Sequence, residues 1–138
     1  MILVDSNVLI DLMGRDPIWF DWSREQLKRA AFGSYLFINP AIISEIGWQF
    51  DDLEQLQLFM VAMLIGIEPL DAAAGFMTSQ AFQLYRARRG ADAPRIPPAD
   101  FLIGGHAQAV GAAILTRDPR YYRSYFPDVT LITPEIEP

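Results

Sequence analysis

Four acidic residues carry the chemistry this chain suggests: Asp5, Glu45, Asp100 and Asp118. Asp5 ends the apolar run Ile2-Leu3-Val4 and precedes Ser6-Asn7. Glu45, read on a helix turning about 100° per residue, has Ala41, Ile42, Trp48 and Gln49 as its neighbours. A carboxylate in so apolar a surround is rarely buried unless it is paired or binds a metal. Asp100 follows a proline-rich stretch and shares a helical face with Ile103 and Gly104, and Asp118 lies in Thr116-Arg117-Asp118-Pro119. Each acid alone also has a plainer role. Asp5 and Asp100 could cap helices, Asp118 could form a turn before proline, and Glu45 could sit in a structural ion pair. The set says more than its members. Two carboxylates about 5 Å apart repel by roughly 3 kcal/mol at an effective dielectric near 20, so a convergent set needs protons or a cation. Ligation by oxygen alone favours Mg²⁺ or Mn²⁺ over zinc. Such an ion activates water and neutralises phosphoryl oxygens, so the chemistry implied is metal-assisted phosphodiester hydrolysis.

Composition sets the limits. The 138 residues are one domain's worth of chain, read as a single domain over 1–138, and 51% hydrophobic content supplies a core. A net charge of -6 argues against coating nucleic acid by bulk charge, while leaving room for a local basic patch. Cysteine is absent, which excludes disulfides, zinc-thiolate sites and cysteine nucleophiles and fits a reducing cytoplasm. Met1 to Asp5 does not read as a signal peptide. The longest apolar run, Leu58 to Ile67, falls short of the roughly 20 residues of a membrane helix. A soluble, cytoplasmic protein is expected.

The acids need elements to bring them together. Ile2-Leu3-Val4 reads as a strand buried on both faces. Helices are expected over Asn7 to Met13 and Ile18 to Phe32, then a strand at Tyr35 to Ile38. Asn39-Pro40 supplies a cap and a first-turn proline for a helix over Ala41 to Phe50. Asp51-Asp52 opens a helix to about Leu64. Gly66 to Leu70 reads as a strand, Ala72 to Arg89 as a helix capped by Asp71, and Gly90 to Pro98 as a loop with Pro94, Pro97 and Pro98. A helix from Asp100 to Val110, a strand at Ala112 to Leu115, a loop with a turn of helix over Thr116 to Phe126, and a strand at Val129 to Ile132 complete the chain. Strands alternating with helices predict an α/β fold, a central parallel sheet flanked by helices. Ligands in such folds sit beyond the carboxyl ends of the strands, where Asp5 and Asp118 fall.

Other chemistries fit poorly. A haloacid-dehalogenase phosphatase needs a second acid where Asn7 stands and a downstream lysine, yet Lys28 is the only lysine. The same missing lysine excludes a receiver domain, and no glycine-rich loop ends in lysine for a P-loop. His106 lies six residues past Asp100, about 120° around the helix, so it reads as a core or surface histidine. Arginines gather late in the chain, at Arg86, Arg88, Arg89, Arg95, Arg117, Arg120 and Arg123. Arg117 and Arg120 flank Asp118 and would meet an approaching phosphodiester phosphate or pair with surface acids. Tyr121 and Tyr122 could stack on bases or pack.

Asp5-Ser6-Asn7 after the first strand, Glu45, Pro98 to Ile103 and Leu115 to Pro119 resemble, in order and spacing, the four motifs of a PIN-domain nuclease. Within that family they are most similar to the VapC-type toxins of toxin–antitoxin pairs. The resemblance spans Met1 to about Ile132. It implies a central parallel sheet and an Mg²⁺- or Mn²⁺-dependent endoribonuclease. Asp5, Asp100 and Asp118 would bind metal. Glu45 would bind it directly or through water and orient the attacking water. Ser6 and Thr116 would be hydroxyl supports, and Asn7 would fix the loop after the first strand. Ser6 stands where threonine is commoner, and Gly104-Gly105 replaces small alanines at roughly 1 kcal/mol of helix propensity each. The resemblance also implies a cognate antitoxin partner, seated in a groove to which Trp19, Phe20 and Trp22 could contribute, and a homodimer through the apolar run Leu56 to Ile67. A non-catalytic regulatory module, binding an antitoxin-like partner through the acidic pocket, is the alternative.

Overall fold

Ile2–Val4, buried throughout, forms the central strand β1 of the sheet in a computed structural model that describes residues 1–93 and 98–134. Leu36–Ile38 (β2), Ile65–Ile67 (β3), Ala113–Leu115 (β4) and Leu131–Ile132 (β5) complete five parallel strands in the order β3-β2-β1-β4-β5. The expected α/β architecture is present, and seven α-helices flank the sheet among the described residues. They are Ser6–Met13 (α1), Phe20–Gly33 (α2), Pro40–Ile46 (α3), Leu53–Ala62 (α4), Ala72–Arg89 (α5), Ala99–Val110 (α6) and Arg120–Tyr125 (α7). None is long and apolar enough to cross a membrane.

The strand order explains where a site can form. From β1 the chain moves outward through β2 to β3, then returns to lay β4 and β5 on the other side of β1. The β1/β4 junction is therefore the point where the connections diverge and leave a crevice at the carboxyl ends. Asp5 follows β1, and Thr116 to Asp118 follow β4.

Local sequence accounts for most helix starts. Asp5, Asn39, Asp52 and Asp71 each accept a backbone N–H as N-caps of α1, α3, α4 and α5. The helix expected over Ala41 to Phe50 stops at Ile46 and continues as one 3₁₀ turn, Gly47–Gln49. β3 begins at Ile65, a residue earlier than expected, because Leu64 turns the chain with φ 60° directly after α4. Thr116 to Phe126, read as loop with a turn, contains the six-residue helix α7. Within the loop read over Gly90 to Pro98, Gly90–Asp92 is a 3₁₀ turn. Pro94, Arg95 and Pro97 lie outside the described residues.

Gly104 and Gly105 allow a close approach that outweighs their poor helix propensity. A Cβ at 104 would overlap the Phe126 ring, and one at 105 would overlap Thr78 and the Ala74 carbonyl. Thr78, buried on α5, places its hydroxyl 2.8 Å from the Ala74 carbonyl and 3.0 Å from that of Phe101. The glycine pair thus brings α6, which carries Asp100, hard against α5 and the end of α7.

Candidate functional site at the β1/β4 crevice

Asp5 is 4% exposed and held by four neighbours. Oδ1 accepts the Ser6 backbone N–H at 2.8 Å; Oδ2 accepts the Thr116 hydroxyl at 2.8 Å and the Tyr122 hydroxyl at 3.0 Å. The Asn7 amide lies 3.5 Å from Oδ2. Asn7 Nδ2 donates to the Thr116 hydroxyl at 3.1 Å, and its Oδ1 accepts the Arg117 N–H at 3.3 Å, tying the loop after β1 to the loop after β4. Thr116 also accepts the Asp118 N–H at 3.1 Å.

Glu45 reaches this group from α3, its Oε1 accepting the Ser6 hydroxyl at 2.9 Å. It is half-buried rather than enclosed, since Trp48 is 78% exposed and its indole N–H folds back on the Glu45 carbonyl. Asp100 arrives in the first turn of α6, as the sequence places it. Burial raises the Asp5 carboxyl above its ordinary value, against the hydrogen bonds from Thr116 and Tyr122. Burial also raises Glu45, and repulsion from Asp5 and Asp100 adds to it. Asp100 is raised by burial and by Asp5 and Asp118, with Tyr122 opposing. Asp118 differs. Its carboxylate takes a two-pronged bond from Arg120, Nε to Oδ1 at 3.0 Å and Nη2 to Oδ2 at 3.1 Å, which lowers it. The four acids therefore share one electrostatic neighbourhood, in which burial raises Asp5, Glu45 and Asp100 while Arg120 lowers Asp118.

Among the described residues no three acid or histidine side chains close into a ready metal cage. Arg120 holds Asp118, and Ser6 holds Glu45. The donor set nevertheless fits a hard cation: all ligand atoms are oxygens, the charge is in excess, and Mg²⁺ commonly takes one or two carboxylates and keeps its waters.

Two residues important to this geometry carry no strong signal in the sequence. Tyr122, 1% exposed, points its hydroxyl at Asp5; burial and the neighbouring carboxylates keep it a phenol. Asp11, 1% exposed on α1, accepts the Ser23 hydroxyl at 2.9 Å and a bidentate bond from Arg117, Nε at 2.8 Å and Nη2 at 2.9 Å. Arg117 also lies 5.6 Å over the Trp19 ring. Its guanidinium thus ties the loop after β4 to α1 and α2. His106 is buried on α6, takes a 3.0 Å bond between Nδ1 and the Asn39 amide, and packs edge-on to Phe37. It serves the core.

Between α1, α2 and α4 lies a cavity of about 510 Å³ with apolar walls from Leu12, Met13, Phe20, Phe59 and Met63. Arg15, Arg24 and Lys28 also line it. Of the aromatic group on α2 and its approach, Phe20 lines this cavity, Trp22 packs partly against the core, and Trp19 meets Trp22 edge-on at 6.0 Å.

A family model for the PIN domain matches residues 2–127. Among solved structures, the chain is similar to VapBC2 from Rickettsia felis bound to a DNA fragment from their promoter, with TM-score 0.71, 20% identity and coverage of 96% of this chain and 98% of that one. It is similar to DNA-bound VapBC from Salmonella typhimurium, with TM-score 0.67, 20% identity and 96% coverage of each chain. It also resembles FitAcB from Neisseria gonorrhoeae, with TM-score 0.65, 19% identity and 96% coverage of each. At these identities the structural likeness establishes the fold. No curated protein sequence matches the chain.

Proposed function

The chain belongs to the PIN domain family, whose members are generally metal-dependent nucleases, and on that premise we propose that it is a divalent-metal-dependent endoribonuclease, the toxin of a toxin–antitoxin pair. The observation that carries the reading is the gathering of Asp5, Glu45, Asp100 and Asp118 at the β1/β4 crevice, where among the described residues only Asp118 of the four takes an ion pair. Mg²⁺ or Mn²⁺, when bound, supplies a Lewis acid for the phosphoryl oxygens and a water of lowered pKa. Asp5, Asp100 and Asp118 would hold it. Glu45 orients the attacking water, directly or as an outer ligand, and the Ser6 hydroxyl fixes the Glu45 carboxylate for that task. Thr116 and Tyr122 set the direction of Asp5, and Asn7 locks the loops that bear Asp5 and Asp118. Arg120, at 81% side-chain exposure, is the cation beside Asp118 suited to an RNA phosphate. Arg117, for which the sequence leaves a phosphate contact and an ion pair both open, pairs with Asp11.

The antitoxin fits the cavity between α1, α2 and α4 as an apolar segment bearing acids to meet Arg15, Arg24 and Lys28. A homodimer would cover Leu58, Val61 and Leu64, each more than half exposed along the run expected to pair. The toxin acts in the cytoplasm, where its RNA is. A second reading, a regulatory module without catalysis, is favoured by one feature: Arg120 already occupies Asp118. Expression without a partner separates the two. Growth arrest that Asp5→Asn abolishes supports the toxin; arrest that survives Asp5→Asn favours the module.

A further inference from the structure

The short helix α7 has two faces with different company. Tyr122 and Phe126 turn inward, to Asp5 and to Gly104 of α6. Tyr121 and Tyr125, one turn apart, lie on another side with their rings 6.4 Å apart and nearly parallel. Beside them is a cavity of about 260 Å³ lined by Tyr85, Arg89, Arg120, Tyr121, Ser124 and Tyr125. Tyr85 is buried and meets Tyr125 and Tyr121 edge-on at 5.5 and 6.1 Å, whereas Tyr121 stays 39% exposed. Arg88 lies 5.1 Å over the Tyr125 ring and Arg89 5.8 Å over Tyr85. Neither Arg88 nor Arg89 has a carboxylate partner among the described residues.

We infer that this pocket is a nucleotide subsite, which stacks one unpaired base of a single-stranded RNA on the tyrosines and grips the adjoining phosphates with Arg89 and Arg120. Three observations converge on it. Arg120 both lines the pocket and touches Asp118, so a strand seated here leads directly into the acidic crevice. In a chain of net charge -6, Arg88 and Arg89 lie over Tyr125 and Tyr85 without a carboxylate partner among the described residues, an arrangement that favours an anion with flat rings. The cavity is below the range that encloses a drug-sized ligand, and an RNA duplex hides its bases from such a pocket. An apolar ligand would leave the Arg89 guanidinium without a counter-charge. The inference rests on RNA being the ligand, as proposed above, and not on its hydrolysis.

The test is fluorescence anisotropy of a labelled, unstructured single-stranded octaribonucleotide with the full chain in chelator. Tyr121→Leu is expected to weaken binding about tenfold, and Tyr121→Phe, which keeps the ring, to restore it. On the same oligonucleotide made abasic, wild type and Tyr121→Leu are expected to bind alike. Arg89→Gln should lower the slope of log affinity against log salt by about 0.7, the value of one single-strand phosphate contact. Arg29→Gln, in an exposed ion pair with Glu25 on α2, should change nothing. Wild-type affinity in both pocket variants, equal loss on abasic RNA, or no binding by wild type would each overturn the subsite. So would an acidic peptide that loses affinity in these variants while RNA does not. Pocket-dependent binding without hydrolysis in Mg²⁺ keeps the subsite and removes the nuclease; hydrolysis indifferent to both substitutions removes the subsite alone.

Discussion

The Tyr122 hydroxyl lies 3.0 Å from Oδ2 of Asp5, joining residues 117 positions apart in the chain. The same carboxylate oxygen takes the Thr116 hydroxyl at 2.8 Å, so Asp5 is oriented from both the loop after β4 and the helix α7. The direction in which it faces the other acids therefore follows from packing rather than from its own rotamer freedom.

Tyr122→Phe removes one of these donors while keeping the ring that fills the core. Loss of an orienting partner of this kind costs about 10- to 100-fold in metal affinity or activity, with about 1 kcal/mol of stability. Mn²⁺ titration beside chemical denaturation checks both. Wild-type metal affinity in the variant would show that Thr116 alone orients Asp5.

Gly105→Ala offers the helix a better propensity by about 1 kcal/mol, yet the added methyl overlaps Thr78 and the Ala74 carbonyl. Overpacking at such a contact costs about 1–3 kcal/mol. Net destabilisation is expected in urea, together with reduced metal affinity as Asp100 shifts with α6. A more stable variant would contradict the close packing of α5 on α6.

Arg117→Ala leaves Asp11, 1% exposed, with Ser23 as its remaining side-chain partner. Breaking a buried pair from one side costs roughly 3–5 kcal/mol; with Arg117 29% exposed, about 3 kcal/mol is expected. Thermal denaturation measures it. A stable variant with weakened RNA binding would return Arg117 to the phosphate-binding role its sequence position suggests.

Asp100 carries the clearest pH signature. Its carboxyl is raised from 3.8 by burial and by Asp5 and Asp118, so the folded state binds its proton more tightly than the unfolded state does. Stability from this group therefore falls as pH rises from about 4 through the raised value, and the loss persists at neutral pH. In chelator, Asp100→Asn should melt a few degrees above wild type at pH 7 and about level with it near pH 3. Added Mg²⁺ should raise the wild type more than the variant. Asp118, lowered by Arg120, works in the opposite direction, losing its contribution as pH falls toward its depressed value.

Much of this was legible because the signals are local. Three contiguous apolar residues ending at Asp5, Asn39 and Thr116 mark β1, β2 and β4 at the sequence level, and alternation with helices makes the sheet parallel. The order of the motifs then puts Asp5 and Asp118 at neighbouring strand ends. What local pattern cannot carry is partnership across the chain. Tyr122 and Asp11 acquire their roles from residues 117 and 106 positions away. Helix α7 lacks an apolar period long enough to announce itself, and Gly104-Gly105 reads as a weakness until Phe126 and Thr78 are seen against it. Glu45, expected in an apolar surround, sits beside an exposed Trp48 and is held by Ser6.

Cleavage of a fluorogenic RNA panel by the purified, partner-free protein tests the central claim, with Mg²⁺, Mn²⁺ or EDTA and with Asp5→Asn in parallel. The expected result is hydrolysis that requires the divalent ion and disappears in Asp5→Asn. Equal, EDTA-insensitive cleavage by both proteins, with no divalent-ion binding by calorimetry, would contradict it.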